Sequence, residues 1–167
     1  ADAQLVAWNI HAAAVDAQSH EKSLVRMNSA EFIGEAGSTA RDAVSALCHA
    51  LADPDAAVRA SPAQALGRIG PDAKRAVYAL SRALDDEDSS AATNAAKALG
   101  LIGEESAEIV LALKRAMAHP SDSVRIESLT ALNEFLAEIL PEIVAALRDE
   151  APSMRDLACR SLRRFGP

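Results

Sequence analysis

A block of about 33 residues recurs along this chain, and a sequence that repeats itself at that interval is confined to stacked supersecondary units. Val25-Arg26, Val58-Arg59 and Val124-Arg125 mark the interval, the second lying 33 residues after the first and the third 66 residues after the second. An intermediate copy has Ala91-Ala92 in that place, and a last copy, three residues shorter, has Met154-Arg155. A second segment follows the marker as AEFIGEAG at 30–37, AQALGRIG at 63–70 and AKALGLIG at 96–103. The fourth copy keeps Leu129, Leu132 and Phe135, and the fifth keeps Leu162, Phe165 and Gly166.

Ahead of each marker stands another phrase: Ala46-Leu47 with Ala50-Leu51, Ala79-Leu80 with Ala83-Leu84, Ala112-Leu113 with Ala116-Met117, and Ala146-Leu147. Apolar residues three and four apart make both phrases amphipathic helices, so each repeat reads as a helix pair. Composition agrees, because alanine exceeds a fifth of the chain and aromatics are only 3%, which suits helices packed closely on helices. Asp55, Asp88 and Ser121 are placed as N-caps of the second helices, with Pro54 and Pro120 in the preceding turns. Gly37, Gly70 and Gly103 stop those helices, and Pro71 opens the next one. Helices are expected near 3–18, 23–36, 39–52, 56–69, 72–85, 89–102, 105–118, 122–136, 138–149 and 152–165. A helix pair cannot bury its apolar face alone. The expected fold is therefore all-α: a right-handed α-solenoid of five helix-pair repeats, about ten helices, in one domain, divided near 1–37, 38–70, 71–103, 104–136 and 137–167. Pro62, inside the helix at 56–69, should kink it.

The net charge of −7 opposes a general role on nucleic acid or on anionic membranes, and no apolar run approaches the roughly 18 residues that span a bilayer. The chain reads as soluble, cytoplasmic or exported, and its first residue, Ala1, fits either a trimmed or a mature end. Cys48 and Cys159 lie too far apart in the repeat pattern for a disulfide. His11, His20, His49 and His119 show no metal-ligand spacing, and the acidic run Asp85-Asp86-Glu87-Asp88 lacks the alternation of a calcium loop, so no metal or cofactor is expected. That run reads as a solvated turn capping a helix. Ser19-His20-Glu21-Lys22 matches S-x-x-K but without its companion motifs, and neither a phosphate loop nor G-x-S-x-G occurs. Leu5, Trp8, Ala12 and Val15 form a seam at the first helix, suited either to core packing or to contact with a preceding domain or second chain.

A D-P-x-x-x-V-R phrase followed by A-x-A-L-G-x-I-G resembles HEAT repeats, especially the short class named after phycobilisome lyases, over nearly all of the chain. The resemblance is weakest in residues 1–22, where Ile10, Ala14 and Ala17 replace the usual phrase, and Pro141 matches the proline of longer HEAT repeats. It implies an acid and an arginine in each repeat that build a ladder between neighbours. Asp53 with Arg59 and Asp149 with Arg155 fit that pairing, Asp86 stands opposite Ala92, and His20 and His119 occupy the acid positions of Arg26 and Arg125. An incomplete, structural ladder is the expectation. The His-Glu pairs by which HEAT-like deoxyhypusine hydroxylases hold di-iron are missing after the V-R positions, which have Met27-Asn28, Ala60-Ser61, Thr93-Asn94, Ile126-Glu127 and Asp156-Leu157.

The resemblance also implies that the second helices line a concave face, and the letters that do not repeat fall there. Candidate partner-binding residues are Glu31, Gln64, Arg68, Lys97, Leu101, Thr130, Glu134, Leu157, Arg160 and Arg164. This face runs from acidic at Glu31 and Glu35 to basic over 151–167, where four arginines and one aspartate leave +3. A bipolar, partly apolar groove suits a protein or peptide segment. The expectation is a noncatalytic scaffold for a protein partner, with neither nucleic acid nor membrane, and one compatible with a piece of a longer array, since Gly166-Pro167 repeats the Gly70-Pro71 junction. The alternative implied by the family is a phycobilin-lyase-type enzyme or chaperone handling a tetrapyrrole. A DNA-repair glycosylase of HEAT type would need a basic groove with aromatics, which this face lacks.

Overall fold

A computed structural model describes residues 3–103, 106–133 and 139–163, with side chains from residue 9 onward. Helices α1 (Ala3–Ser19) and α2 (Ser23–Glu35) form the first pair. They are followed by α3 (Val44–Ala50) with α4 (Ala56–Ile69), α5 (Val77–Ala83) with α6 (Ser89–Ile102), α7 (Ala107–Ala116) with α8 (Asp122–Leu132), and α9 (Leu140–Ala146) with α10 (Pro152–Leu162). No strand occurs among the described residues. The molecule is an all-α solenoid.

The sequence period becomes core layers. Leu47, Leu80 and Leu113 from the first helices and Ile33, Leu66, Leu99 and Leu132 from the second are each 0% exposed, and each set steps by one repeat. Small residues on the second helices let these layers approach. A Cβ added to Gly34 would lie 2.9 Å from the Ala65 Cα, and one added to Gly100 would lie 2.9 Å from the Ala131 Cβ. The second helices α2, α4, α6 and α8 therefore pack along their length, whereas successive first helices meet over shorter stretches. Closer approach on one side bends the stack toward that side, so the second helices line the inner face.

Side-chain caps open α4, α6 and α7. The Asp55 carboxylate accepts from the Ala57 N–H at 3.0 Å and the Asp88 carboxylate from the Ala91 N–H at 2.9 Å. Ser121 occupies the N-cap of α8 as expected but makes no side-chain cap bond; Ser106, which the sequence reading passed over, caps α7 through the Ile109 N–H at 3.2 Å. At the other end, Gly103 closes α6 with φ +64, a left-handed conformation that glycine adopts at little cost.

Two expected helices are shorter than the sequence indicated. The segments near 39–52 and 72–85 begin as 3₁₀ turns, Gly37–Ala43 and Gly70–Ala76, before α3 and α5. Ala40 (φ −94, ψ 17) and Ala73 (φ −90, ψ 18) leave helical geometry there, both fully buried, because the chain must turn sharply after the positive-φ glycines while keeping a methyl in the core. Pro71 thus opens a 3₁₀ turn and not an α-helix. Helix α4 runs unbroken through buried Pro62, so the proline does not interrupt it. Cys48 and Cys159 are free thiols, and burial pushes the Cys48 thiol up.

The first pair differs from the rest. Ile10, Ala13 and Ala17 face the core, whereas Val15 is 52% exposed together with Leu24 and Phe32 of the same repeat. The expected seam therefore does not enter the core at Val15; the side chains of Leu5 and Trp8 lie outside the described residues.

Candidate partner-binding face

Turns between paired helices are tied by arginines, and the register differs from the one expected. Arg26 grips the Asp53 carboxylate of the next repeat through Nε at 2.6 Å and Nη2 at 2.9 Å. Arg59 does the same with Asp86 at 2.6 and 2.8 Å, and Arg125 with Asp149 at 2.9 Å twice. The acid six residues before each arginine contributes its backbone carbonyl: Arg59 Nη1 donates to the Asp53 carbonyl at 3.0 Å, and Arg155 Nη1 to the Asp149 carbonyl at 2.8 Å. The expected pairing of Asp53 with Arg59 and Asp149 with Arg155 is corrected accordingly. Nη1 stays on the carbonyls of its own turn while Nε and Nη2 reach the carboxylate of the next, so the fork geometry of guanidinium bridges two turns.

This register explains the histidines. His119 stands where Ala92 of the preceding repeat supplies no arginine, so both halves of one rung are missing together. At His20, no described repeat precedes. Each imidazole keeps the second task of the acid: Nδ1 accepts the i+2 backbone N–H, from Lys22 at 3.2 Å and from Ser121 at 3.0 Å. Asp53, Asp86 and Asp149 accept from Asp55, Asp88 and Ala151 in the same way at 2.8, 2.8 and 2.9 Å. An imidazole nitrogen satisfies the turn without leaving an unpaired carboxylate near the core. The acidic run is likewise used up structurally, with Asp86 on Arg59, Asp88 at the α6 cap and Asp85 beside Arg115 at 3.5 Å.

The three ladder carboxylates titrate low. For Asp86 and Asp149 the hydrogen bonds from Arg59 and Arg125 outweigh the opposing effect of burial. Burial is the largest influence on Asp53, yet the Arg26 hydrogen bond, the Asp55 N–H and the charges of Arg26 and Arg59 together carry it below the ordinary value. A carboxylate with a folded pKa below its unfolded one stabilises the fold above the unfolded value and loses that contribution as pH falls through the folded value. Denaturant midpoints are therefore expected to drop as pH falls below about 4, and Asp86→Asn should flatten part of that drop; an unchanged acid limb in this variant would contradict the assignment.

On the inner face, side chains separate by depth. Glu31, Gln64, Lys97, Thr130 and Arg160 form an exposed row, with Glu35, Arg68 and Leu101 exposed beside them. The row below is tied to neighbouring repeats: Asn94 Nδ2 donates to the Ala60 carbonyl at 3.1 Å, and the Ser61 hydroxyl lies 3.5 Å from a Glu31 carboxylate oxygen. Leu157 is half-buried against the core. Arg160 pairs with Asp156 at 2.9 Å on its own helix. Glu134 and Arg164 lie outside the described residues.

Lys97 and Leu101 of α6 meet Thr130 of α8 around a pocket of about 400 Å³, with Gly100, Glu127 and Ala131 completing it. Three of these six residues, Lys97, Leu101 and Thr130, are among the candidate partner-binding residues read from the sequence. Gly100 and Ala131 are not among them because they carry the packing code; the signal that could have found them is the missing side chain at Gly100 next to exposed Leu101. Among the described residues no cluster of histidine, cysteine, aspartate or glutamate could hold a metal ion, and no helix is long and apolar enough to cross a membrane.

Stacked helix pairs, an arginine ladder through the turns and an exposed, non-repeating inner row define the class of α-solenoid scaffolds. Within it, the model of the HEAT repeats matches residues 44–133, more than half of the chain, and this chain belongs to the HEAT-repeat family. No curated protein sequence matches it. Among solved structures, the complex of CpcE and CpcF of phycocyanin lyase from Nostoc sp. PCC7120 is similar with a TM-score of 0.76 at 23% identity, over 94% of this chain and 65% of that one. An engineered protein gives a TM-score of 0.73 at 19% identity over 93% of this chain and 78% of its own. A second engineered protein gives 0.72 at 20% identity over 99% and 86%. These likenesses establish a shared solenoid fold.

Proposed function

We propose that the chain is a noncatalytic scaffold that holds a protein or peptide partner along its inner face. The observation that carries this reading is the pocket between α6 and α8, where Leu101 is 51% exposed beside exposed Lys97 and Thr130. Leu66, Leu99 and Leu132 bury their side chains completely, whereas Leu101 leaves half of its side chain exposed on the inner face. Charged groups around an apolar patch orient a partner and reject wrong ones.

Replacing Arg68 and Lys97 together by glutamate should weaken a partner's binding roughly tenfold, about 1.4 kcal/mol, measured on the partner recovered by affinity capture and mass spectrometry. Equal recovery by the variant would remove the inner face from consideration.

The likeness to a phycocyanin lyase complex supports a second reading, tetrapyrrole handling. None of the described residues named on the inner face is aromatic, which ranks this reading lower. A red-shifted, saturable visible spectrum on mixing the protein with a bilin would reverse the order.

A further inference from the structure

We infer that the joint between the α5–α6 and α7–α8 pairs is the adaptive joint of the solenoid, and that its inner pocket takes one apolar side chain of an extended partner segment with a carboxylate beside it. The inference rests on the inner face being the binding face. Two independent features meet at this joint. On the inner side lies the pocket of about 400 Å³ made by Lys97, Gly100 and Leu101 of α6 and Glu127, Thr130 and Ala131 of α8. On the turn side, the same joint lacks the Arg–Asp rung that ties Arg26 to Asp53, Arg59 to Asp86 and Arg125 to Asp149.

The missing rung has a second consequence. In four repeats an arginine Nη1 clamps the turn carbonyls, those of His20, Asp53, His119 and Asp149. Ala92 offers no such clamp to the equivalent carbonyl of Asp86. Apart from the exposed Asp85–Arg115 pair, this joint is thus held by apolar contact, chiefly Gly100 against Ala131. Rotation about that contact separates α6 from α8 against only the exposed Asp85–Arg115 pair at 3.5 Å, whereas the other three joints would have to break a largely buried Arg–Asp rung. The joint that lacks the rung coincides with the apolar pocket.

The lining specifies the occupant. Leu101 gives an apolar wall; Lys97 is exposed and makes no ion pair among the described residues, and Arg68 continues the positive charge toward the previous repeat. A carboxylate next to the apolar residue complements Lys97, while the half-buried Glu127 can accept a backbone N–H of the segment.

The test uses synthetic 12-residue peptides with one central leucine or phenylalanine flanked by aspartate or by lysine, titrated by fluorescence anisotropy. The aspartate-flanked set should bind at least about tenfold tighter than the lysine-flanked set, and Leu101→Asp should abolish binding. Ala92→Arg combined with His119→Asp builds the missing rung without touching the pocket, and should weaken binding about fivefold while slowing amide exchange at the start of α8. If peptides bind and depend on Leu101 but are indifferent to the built rung, the adaptive joint is wrong and the binding face stands. A preference for lysine flanks overturns the proposed occupant, and absence of binding by every peptide overturns both. Should the double variant fail to fold, amide exchange of the wild type decides: the turn at Ser121 must exchange faster than the turns at Asp55 and Asp88, and equal protection refutes the joint.

Discussion

Arg125→Ala should destabilise the protein by about 3–5 kcal/mol, the cost of leaving one member of a buried ion pair behind. Arg125 is 5% exposed and is the most heavily engaged side chain of the ladder. It holds both Asp149 oxygens at 2.9 Å, the Asp122 carboxylate at 2.9 Å, and the carbonyls of His119 and Pro120 at 3.0 and 3.1 Å. Removing it strands the Asp149 carboxylate, whose side chain is only 14% exposed, with the Ala151 N–H as its remaining donor. Arg155 is the internal control. It donates to the Asp149 and Glu150 carbonyls at 2.8 Å but makes no ion pair among the described residues, so Arg155→Ala should cost only about 1 kcal/mol. Replacing Arg125 by methionine together with Asp149 by leucine should recover much of the loss, because the penalty comes from the orphaned charge. Urea denaturation followed by far-ultraviolet circular dichroism measures all three; equal midpoints for Arg125→Ala and Arg155→Ala would show that the rung carries no stability.

Leu99→Ala should cost about 2–5 kcal/mol, through lost apolar contact and the cavity left behind. Leu99 is 0% exposed and lies midway along the stack, so repeats on both sides fix its surroundings and limit collapse around the truncated side chain. A solenoid repeat relies on its neighbours for its buried face, hence damage in the middle is felt in both directions. Leu111→Ala is the comparison, since Leu111 is 64% exposed on α7 and should change the midpoint by less than about 0.5 kcal/mol. Similar midpoints for the two variants would mean that the core layers are misplaced.

Repeating letters were readable as packing letters because a core position must satisfy the same neighbours in every repeat. Leu66 and Leu99 and the glycines at 70 and 103 followed directly from that. The ladder was only half legible. Asp53 and Arg59 stand six residues apart in one copy, which invites pairing them, but the ion pair spans 27 residues, from Arg26 to Asp53 and from Arg59 to Asp86. Counting at that interval would have shown that Ala92 and His119 are one missing rung. The shortened α3 and α5 were hidden for another reason: local propensity favours helix throughout 39–52 and 72–85, and the 3₁₀ turns at Gly37–Ala43 and Gly70–Ala76 arise from the geometry of reversing the chain.

By itself, then, the sequence determined the helix pairs, their period, their core residues and the all-α solenoid, since hydrophobic spacing and turn residues act over a few positions. Tertiary structure alone decided which turn each arginine reaches, that His20 and His119 serve as turn acceptors through Nδ1, and that Leu101, Lys97 and Glu127 share one pocket with Gly100. Those relations join side chains from different repeats, and they depend on how closely two second helices approach, a distance set by glycine against alanine across the joint.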